Sequence, residues 1–395
     1  MPGFEIFGDE EKREVGEVLE TGVLFRYGFD AARKDRWKAR TFEMDLARKL
    51  GVNHCLLVSS GTAALNVALA ACGIGAGDEV ILSPFTFVAT FEAILSVGAV
   101  PVFAEIDDTL CLDPAAVARV VTPRTRAVAP VHMCGSMADI EALRALCDEK
   151  GLILIEDACQ AVGATCHGRA AGTFGHMGCF SFDPVKTITC GEGGAVVTDD
   201  PALYARADQY ADHGHDHLGN DRGKEDHPIL GFNFRISELN AAVGVAQLRK
   251  LDRILATQRK NKAFLRSVLK EVPGVSFRRI PDPDGDSATF LSFLLPDEDS
   301  TRKAAKDLAA AGVDGSFYWY DNNWHYLRQW DHLKKMVAAA RLPQQLLENV
   351  PDYGSVSFPV SDGIMGRMIS MLIKLSWSDR DLEERASKIR KVFGL

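Results

Sequence analysis

The 395-residue sequence predicts an α/β protein, in which a mostly parallel central sheet carries helices on both faces and a smaller C-terminal α+β unit follows. Short apolar runs alternate with helical patterns along the first half, which is the order of parallel strands joined by crossover helices. These runs are continuous, as in strands that are buried on both faces. Later in the chain, one long periodic helix precedes a different mixture of strands and helices.

Five strands are predicted in the first half, and a helix follows each of the first four. The strands are placed at residues 54–58, 79–82, 100–103, 127–131 and 152–155. The helices are placed at residues 63–72, 87–97 and 137–150, with a short one opening at Asp113 after the third strand. Glycines at 73, 75 and 77 end the first helix, because glycine readily adopts the conformation that terminates helices.

The pattern changes after residue 158. Short strands with glycine-rich turns are predicted up to residue 197, and a long helix over residues 237–268. A loop at 281–287, a strand at 290–295 and a helix at 300–313 follow. We therefore predict a large domain with the N-terminal segment at residues 1–265 and a small C-terminal domain at residues 266–395, without a flexible linker.

Composition and charge argue against several classes of protein. The net charge is −9 and the pI about 5.6, and no basic patch is visible, so we expect no nucleic-acid partner. No stretch reaches the roughly 18 consecutive apolar residues of a membrane helix. The acidic N-terminal sequence is unlike a signal peptide, and nine cysteines without a CxxC pair are typical of reduced, buried thiols. We expect a cytoplasmic protein without membrane association.

The segment SSGTAA at residues 59–64 is a candidate anion site between the first strand and its helix. Free backbone N–H groups and the helix dipole attract anions there, and small side chains let the backbone approach a phosphate. Ser60, Gly61 and Thr62 are therefore candidates to hold a phosphate group. The alternative is an ordinary helix N-cap, which also favours serine and threonine.

Two charged side chains occupy positions where a charge needs a partner. Asp157 lies at the carboxyl end of a buried strand, where open α/β sheets bind ligands, although capping a loop is the alternative role. Lys186 lies in a turn between two apolar segments, beside hydroxyl groups and a glycine cluster. A buried lysine has a lowered pKa and can form an imine with an aldehyde, whereas most lysines are simply solvated.

Together these features predict a site for pyridoxal 5′-phosphate (PLP). A phosphate cradle, a strand-end carboxylate and a loop lysine occur in that order on a parallel sheet. Lys186 would hold the aldehyde of PLP as an imine. The Asp157 carboxylate would keep the pyridine nitrogen protonated, so that the ring accepts electrons. Lys186 and Asp157 are therefore the predicted catalytic residues.

Seven ordered segments resemble the DegT/DnrJ/StrS-type sugar aminotransferases. They are SSGTAAL, GAGDEVILSPFTFVAT, VPVFAEID, TPRTRAVAPVHMCG, LIEDACQAVGA, FSFDPVKTITCGEGGAVVT and GFNFRISELNAAVGVAQL. The resemblance extends from about residue 3 to the C-terminus and is densest over residues 55–250. It implies a fold-type I PLP-dependent aminotransferase that works as a homodimer with active sites shared between subunits.

The matching motifs imply individual roles. Lys186 would carry the cofactor, Asp157 would pair with the pyridine nitrogen, and Gln160 would hydrogen-bond to the phenolic oxygen. Phe87 would stack on the cofactor ring, with core packing as the alternative. Asn233 would reach the phosphate of the neighbouring subunit's cofactor, with a turn role as the alternative. The residues that would surround the phosphate in the same subunit are Ser60, Gly61, Thr62 and Ser181.

Two further stretches are candidates for substrate binding. The run DHGHDH at residues 212–217 has a spacing that could bind zinc on a strand, but the resemblance implies a histidine-containing loop beside the substrate, and we expect no metal. The stretch FYWYDNNWHY at 317–326 has aromatic and amide groups that suit a sugar, with core or dimer contacts as the alternative. The predicted substrate-binding residues are His215, His217, Arg222, Arg235, Tyr318 and Trp319.

Within the family, the chain is most similar to transaminases that make 8-amino-3,8-dideoxy-manno-octulosonate, a lipopolysaccharide sugar. The segments MPGFEIFG, FRYGFD, HMCGSMA, CFSFDPVKTITCGEGG, DHGHDHLGNDRG and FYWYDNNWHY carry this similarity. It implies transfer of an amino group from L-glutamate to 8-oxo-3,8-dideoxy-manno-octulosonate.

Three alternatives remain open: a nucleotide-linked 3- or 4-keto sugar as acceptor, a PLP-dependent sugar dehydratase, and a non-catalytic regulator of the same fold. Lysine at position 186 disfavours the dehydratase, because such members of the family carry histidine there. The presence of Lys186, Asp157 and Gln160 together disfavours the regulator.

Overall fold

The computed structural model describes residues 2–219, 221–348 and 350–395. Within them, seven strands form a central sheet, four form a second sheet and two form a short ladder. The strands are β1 (His54–Val58), β2 (Glu79–Leu82), β3 (Val100–Phe103), β4 (Thr125–Val128), β5 (Ile153–Asp157), β6 (Thr165–Cys166), β7 (Arg169–Ala170), β8 (Met177–Ser181), β9 (Gly194–Thr198), β10 (Ser276–Phe277), β11 (Phe290–Leu294), β12 (Ser316–Phe317) and β13 (Met368–Leu372).

Helices connect most of these strands, and several begin at a serine or aspartate whose side chain accepts a hydrogen bond from the first turn, as Ser60 and Ser237 do. The helices are α1 (Pro2–Glu5), α2 (Asp9–Thr21), α3 (Asp30–Arg33), α4 (Lys38–Leu50), α5 (Gly61–Ala71), α6 (Val88–Ser96), α7 (Pro114–Val120), α8 (Ile140–Lys150), α9 (Pro201–Ala211), α10 (Glu238–Leu269), α11 (Glu298–Ala310), α12 (Asp331–Lys334), α13 (Pro359–Met365) and α14 (Asp379–Phe393).

The central sheet has the strand order β1-β9-β8-β5-β4-β2-β3. From β8 to β3 the neighbours run parallel, whereas β9 is antiparallel to both β8 and β1. The predicted mostly parallel sheet is thus confirmed. The exception arises because residues 182–193 turn back from β8 to β9 at one end of the sheet, without the crossover that a parallel pair requires. That turn carries Lys186.

Two apolar layers cover the faces of this sheet. Successive strand residues face opposite layers, because side chains alternate along a strand: Leu56 and Ile155 belong to one layer, and Leu57 and Leu154 to the other. Helices α5, α6 and α9 contribute to the first layer, and α4, α8 and α10 to the second. Burial on both faces is the physical reason for the continuous apolar runs in the sequence.

The C-terminal part folds around the second sheet, which is antiparallel and has the order β10-β11-β13-β12. Leu265 of α10, Phe293 of β11 and Ile369 of β13 share its core with residues of α11 and α14. Helix α10 passes through residue 265 without a break. The predicted boundary between residues 1–265 and 266–395 therefore falls inside a helix, and the division itself stays a prediction.

The predicted elements differ from the structure mainly at their ends. The strand predicted over residues 127–131 ends at Val128, because Pro130 has no N–H group to extend the ladder. The helix predicted over residues 137–150 begins only at Ile140, where the Asp139 side chain caps it. None of the helices in the described parts of the chain combines the length and apolar character that crossing a bilayer requires.

Candidate active site

A cavity of about 600 Å³ opens where β5 and β8 end, at the edge of the sheet where the sequence predicts a ligand site. Its volume is within the roughly 300–1,000 Å³ typical of small-molecule sites. The predicted cofactor residues that line it are Ser60, Gly61, Thr62, Phe87, Asp157, Gln160, Ser181 and Lys186. The fold therefore brings together motifs that are far apart in the chain.

The N-terminal end of α5 forms one wall of the cavity. Ser60 caps the helix, and its Oγ accepts a hydrogen bond from the backbone N–H of Ala63 at 3.0 Å. Gly61 allows Ser181 to approach, since a Cβ at residue 61 would lie only 2.7 Å from Ser181 Cβ. First-turn N–H groups thus stand beside the hydroxyl of Ser181, with Thr62 on the same wall. This is a set of donors that suits a phosphate.

Asp157 ends β5, and only 3% of its surface is exposed. Its Oδ2 accepts a hydrogen bond from Thr90 Oγ1 at 2.8 Å, and its Oδ1 accepts one from the backbone N–H of Cys159 at 3.1 Å. A buried carboxylate bound only by neutral donors is stabilised strongly by a cation. Because Asp157 lines the cavity, a protonated ring nitrogen there would supply that charge.

A buried pair supports the end of β5 from behind. Glu156 Oε2 lies 2.9 Å from His132 Nε2, and both side chains are fully buried. The N–H of Ala138 donates to His132 Nδ1 at 3.2 Å, so the imidazole proton is on Nε2 and points to Glu156. The backbone N–H of His132 also donates to the carbonyl of Asp157 at 3.0 Å. No local pattern in the sequence indicates this support for Asp157.

Lys186 lines the cavity from the turn between β8 and β9. The turn is closed by hydrogen bonds from the N–H of Lys186 to the carbonyl of Asp183 at 3.0 Å and from the N–H of Val185 to Asp183 Oδ1 at 2.8 Å. The Lys186 ammonium lies 5.7 Å from the centre of the Phe87 ring, within cation–π range. In addition, the N–H of Gly3 donates to the Lys186 carbonyl at 3.3 Å, so the N-terminal segment packs on this turn.

Gln160 has an orientation that suits its predicted role. Its Oε1 accepts a hydrogen bond from the backbone N–H of Cys134 at 3.0 Å, so the amide nitrogen is the end that can donate to a ligand. Cys159, beside it, is unsuited to nucleophilic chemistry, because burial and the Asp157 charge raise the pKa of its thiol well above the ordinary value.

Residues of the predicted sugar-binding stretch form the opposite side of the cavity, which we call the aromatic wall. It consists of Phe317, Trp319, Asn322, Trp324 and His325. Trp324 stacks on Phe87 with ring centres 5.5 Å apart, and the His325 ring lies 5.4 Å from the same ring. The backbone N–H of Thr86 donates to the His325 carbonyl, and that of Val88 to the Trp324 carbonyl, each at 3.0 Å. These contacts hold the aromatic wall against the segment that contains Phe87.

The two predicted substrate-binding residues of this stretch, Tyr318 and Trp319, have different positions. Trp319 lines the cavity, whereas the hydroxyl of Tyr318 donates to the carbonyl of Gly366 at 3.0 Å, outside the cavity lining. Asn322, Trp324 and His325 line the cavity but were not selected. The alternation of side chains through Phe317, Tyr318 and Trp319 could have indicated that Tyr318 faces away.

The predicted substrate residues His217, Arg222 and Arg235 gather around Asp212, apart from this cavity. Asp212 is fully buried, and its carboxylate lies 2.9 Å from His217 Nε2 and 3.0 Å from Arg222, and also pairs with Arg235. Burial acts to raise the pKa of Asp212, but these three cationic partners hold it well below its ordinary range. The fourth predicted substrate residue, His215, lies beside this cluster, and its ring centre is 6.2 Å from that of His217.

His217 is held between two carboxylates. Burial acts to lower its pKa, but hydrogen bonds with Asp208 at 2.6 Å and Asp212 at 2.9 Å raise it to about 9. His217 and Arg222 also line a second, polar cavity of about 710 Å³, which includes Arg26. Whether these histidines and arginines meet the substrate stays a prediction.

Asn233 is exposed and lies outside the lining of the first cavity. Its Oδ1 accepts a hydrogen bond from the N–H of Arg235 at 3.2 Å. The carbonyl of the next residue, Phe234, accepts one from the N–H of Ser59 at 2.7 Å, close to the start of α5. The predicted role of Asn233 toward a neighbouring subunit stays a prediction.

The residues of the first cavity fit PLP. The missing Cβ at Gly61 opens a cradle against Ser181, and the helix N-terminus there favours a phosphate. Asp157 offers a buried carboxylate to a ring nitrogen, Gln160 offers a donor, and Lys186 offers an amine beside the Phe87 ring. Each group that PLP requires of a protein therefore has a counterpart in one cavity.

Comparison with known proteins agrees with this fit. The DegT/DnrJ/EryC1/StrS aminotransferase family model matches residues 6–389. The chain is 32% identical over 394 residues to the spore coat polysaccharide biosynthesis protein SpsC of Bacillus subtilis, covering 98% of this chain and 95% of that protein. It is 44% identical over 273 residues to the L-glutamine:2-deoxy-scyllo-inosose aminotransferase of Streptomyces kanamyceticus. This match covers 65% of this chain and 62% of that relative, so it spans less than two thirds of the relative's length.

A solved structure shows the same fold over nearly the whole chain. The aminotransferase from Psychrobacter cryohalolentis superimposes with a TM-score of 0.84 at 27% sequence identity, covering 98% of this chain and 97% of that one. The fold of this chain is thus similar to that of a solved aminotransferase. The chain belongs to the DegT/DnrJ/EryC1/StrS aminotransferase family, whose members depend on PLP.

Proposed function

We propose that the chain is a PLP-dependent aminotransferase that moves an amino group from L-glutamate to the aldehyde of 8-oxo-3,8-dideoxy-manno-octulosonate. The product would be 8-amino-3,8-dideoxy-manno-octulosonate, made in the cytoplasm for lipopolysaccharide. The observation that carries the proposal is the placement of Lys186, Asp157 and the N-terminus of α5 around one cavity. The working unit would be a homodimer in which Asn233 serves the partner's site.

When bound, PLP supplies an aldehyde that condenses with amines and a ring that withdraws electrons from the adjoining carbon. Asp157 would maintain positive charge on the ring nitrogen, and Thr90 would hold that carboxylate in place through its 2.8 Å hydrogen bond. Ser60, Thr62 and Ser181 would anchor the phosphate. With the cofactor held by these residues, the Lys186 side chain would be free to move between the cofactor and the substrate.

Lys186 would act as anchor and as general acid and base. Once the substrate amine has displaced it, its Nζ would take the proton from the substrate carbon and deliver it to the carbon that came from the aldehyde. The Lys186 Nζ lies 5.7 Å from the centre of the Phe87 ring, which supports this role, because Phe87 is the residue predicted to stack on the cofactor. The second half of the cycle would run the same transfer in reverse on the sugar.

The cavity lining favours a neutral polyol next to the reacting carbon. Lys186 is the only lysine or arginine in this lining, all of which lies in the described parts of the chain, and the carboxylates there are Asp157, Asp183 and Glu192. A sugar diphosphate close to the reacting carbon would meet too few cations. In the octulosonate the aldehyde and the carboxylate are at opposite ends of the carbon chain, so the reacting end is uncharged. The cations around Asp212 lie apart from this cavity, so their contact with the carboxylate end stays a prediction.

An acceptor screen tests the proposal. The purified enzyme, loaded with PLP, would receive 8-oxo-3,8-dideoxy-manno-octulosonate or nucleotide-linked 3- and 4-keto sugars, with L-glutamate or L-glutamine as donor and Lys186→Ala as the matched control. We expect mass spectrometry to detect an amino sugar from the octulosonate only. A product from the nucleotide sugars alone would favour the second acceptor class, and a deoxy sugar without nitrogen would indicate a dehydratase.

A further inference from the structure

One nitrogen of the aromatic wall, Nε2 of His325, is a hydrogen-bond acceptor on a side chain that lines the proposed reaction site. Asn322 Oδ1 accepts a hydrogen bond from the backbone N–H of Trp324 at 2.9 Å, which identifies that atom as the amide oxygen. The same oxygen lies 3.0 Å from His325 Nδ1. Because an amide oxygen can only accept, His325 Nδ1 must carry the proton, and Nε2 is left as an acceptor.

The position of the His325 ring is fixed on several sides. Its centre lies 4.5 Å from that of Trp319 and 5.4 Å from that of Phe87. Its backbone carbonyl accepts a hydrogen bond from the N–H of Thr86, so His325 cannot shift along the aromatic wall without breaking that bond. Within the described residues, Nε2 has no hydrogen-bonding protein partner, and the side chain lines the cavity.

The charge state agrees with this geometry. Burial, with the nearby Lys186 ammonium, lowers the pKa of His325 to about 3. The ring is therefore neutral over the physiological range of pH.

We propose that Nε2 of His325 accepts a hydrogen bond from a hydroxyl of the acceptor sugar and thereby positions the sugar carbonyl beside Lys186. This role rests on the proposed function, since it requires a polyol in the cavity. The rest of the aromatic wall offers mainly ring surfaces, which hold a sugar by stacking but do not fix its rotation. A directional acceptor next to these rings selects one orientation. An amino-acid donor has no hydroxyl to offer at this point, so the donor half-reaction does not need the contact.

The first test uses two substitutions at this position. His325→Phe keeps a ring between Trp319 and Phe87 but removes the hydrogen-bond acceptor. His325→Gln instead provides an amide oxygen as hydrogen-bond acceptor near the position of Nε2. His332→Phe is the matched control, because His332 is exposed and outside the cavity lining. We expect His325→Phe to lower kcat/KM for the sugar about tenfold, with the rate of the donor half-reaction unchanged. His325→Gln should retain more of the sugar reaction than His325→Phe, and His332→Phe should match the wild type.

The second test measures binding without turnover. Enzyme loaded with pyridoxamine phosphate cannot react with an amino sugar, so calorimetry with 8-amino-3,8-dideoxy-manno-octulosonate reports affinity alone. We expect a Kd about tenfold higher for His325→Phe and a smaller increase for Asn322→Ala, in which the proton is free to move to Nε2. Equal Kd values for wild type and His325→Phe would overturn the inference while leaving the proposed function intact. Parallel loss of the donor half-reaction and of bound cofactor would also overturn it, because His325 would then support the cofactor. A wild type that aminates no sugar would instead refute the proposed function itself.

Discussion

The hydroxyl of Thr90 donates a hydrogen bond to Asp157 Oδ2 at 2.8 Å, and this contact links the helix after Phe87 to the strand-end carboxylate. Thr86 extends the link, with its Oγ1 2.7 Å from that of Thr90. The segment that carries the predicted stacking ring is thereby connected to the predicted partner of the pyridine nitrogen. The orientation of the Asp157 carboxylate is therefore coupled to the position of the segment that contains Phe87.

Replacing Thr90 by valine removes this hydrogen bond at nearly constant shape. The buried Asp157 carboxyl accepts from Thr90 and from the backbone N–H of Cys159, and the loss of the first donor should lower the free energy of unfolding by about 1–3 kcal/mol. The affinity for PLP should fall as well, because Asp157 is less firmly oriented. Urea denaturation and absorbance titration with PLP measure the two effects. Thr90→Ser keeps the hydroxyl and should resemble the wild type; equal losses in both variants would show that the methyl group matters instead.

Lys186→Ala should leave the fold intact and remove covalent attachment of the cofactor. The residue is in a turn and only partly buried, so the loss of its side chain costs little packing. After treatment with PLP and borohydride, mass spectrometry should show an added cofactor mass on the wild type and none at position 186 of the variant. Lys303→Ala, at an exposed site, is the control and should label like the wild type. A variant that keeps the label and the turnover would contradict the assignment of the anchor.

Gly61→Ala should damage the predicted phosphate cradle. The new Cβ would lie 2.7 Å from Ser181 Cβ and 3.1 Å from Cys159 Sγ, so we expect overpacking to cost about 1–3 kcal/mol of stability and to weaken PLP binding. Thermal denaturation with and without PLP measures both effects. Gly16→Ala is the matched control, because no atom beyond its chain neighbours and its own helix backbone lies within 4 Å of the new Cβ. In a helix this change should instead stabilise the protein by about 0.5–1 kcal/mol.

Stability should fall at alkaline pH through His217. Its folded-state pKa of about 9 lies above the ordinary value of about 6.5, because Asp208 and Asp212 outweigh the effect of burial. The stabilisation is therefore complete below pH 6.5 and is lost as the pH rises through 9. Between pH 6 and pH 10 we expect the wild type to lose about 2 kcal/mol more of its free energy of unfolding than His217→Gln does. Urea denaturation at the two pH values measures this, and parallel losses would show that other groups titrate.

Mixing two inactive variants tests whether Asn233 serves the partner's site. Asn233→Asp places a negative charge beside the expected phosphate, and Lys186→Ala removes the amine. In a mixed dimer, the site with Lys186 from one chain and Asn233 from the other is intact if the sites are shared. We expect activity to return when the two variants are unfolded and refolded together. If mixing restores nothing while each wild-type control refolds, Asn233 does not act across the interface.

The sequence was sufficient for the parts of the site that depend on local pattern. Small residues between a strand and a helix indicate the cradle at Ser60–Thr62, and a polar residue at the end of an apolar run indicates Asp157. The turn between two buried segments indicates Lys186. The resemblance of ordered motifs then added Gln160, Ser181 and Phe87, and all of these residues line one cavity.

Contacts between distant segments could not be predicted in the same way. Local spacing encodes helix period and strand ends, but nothing in it shows that residues 324–326 pair with residues 85–88, because that pairing depends on how the second sheet packs against the first. For this reason Asn322 and His325 were missed, and Tyr318 was selected although it faces Gly366. The gathering of His217, Arg222 and Arg235 around Asp212 has the same origin, since one buried carboxylate collects the cations that the chain brings within reach.

The amino-acid sequence by itself therefore determined the α/β class, the alternation of strands and helices between residues 54 and 155, and the choice of Asp157 and Lys186 as candidate cofactor residues. Each follows from side-chain period and from residue type at strand ends and turns. Only the tertiary structure decided the antiparallel course of β9, the hydrogen bond of Thr90 to Asp157 and the orientation of His325. These features depend on which surfaces pack together, and packing joins residues that no local pattern relates.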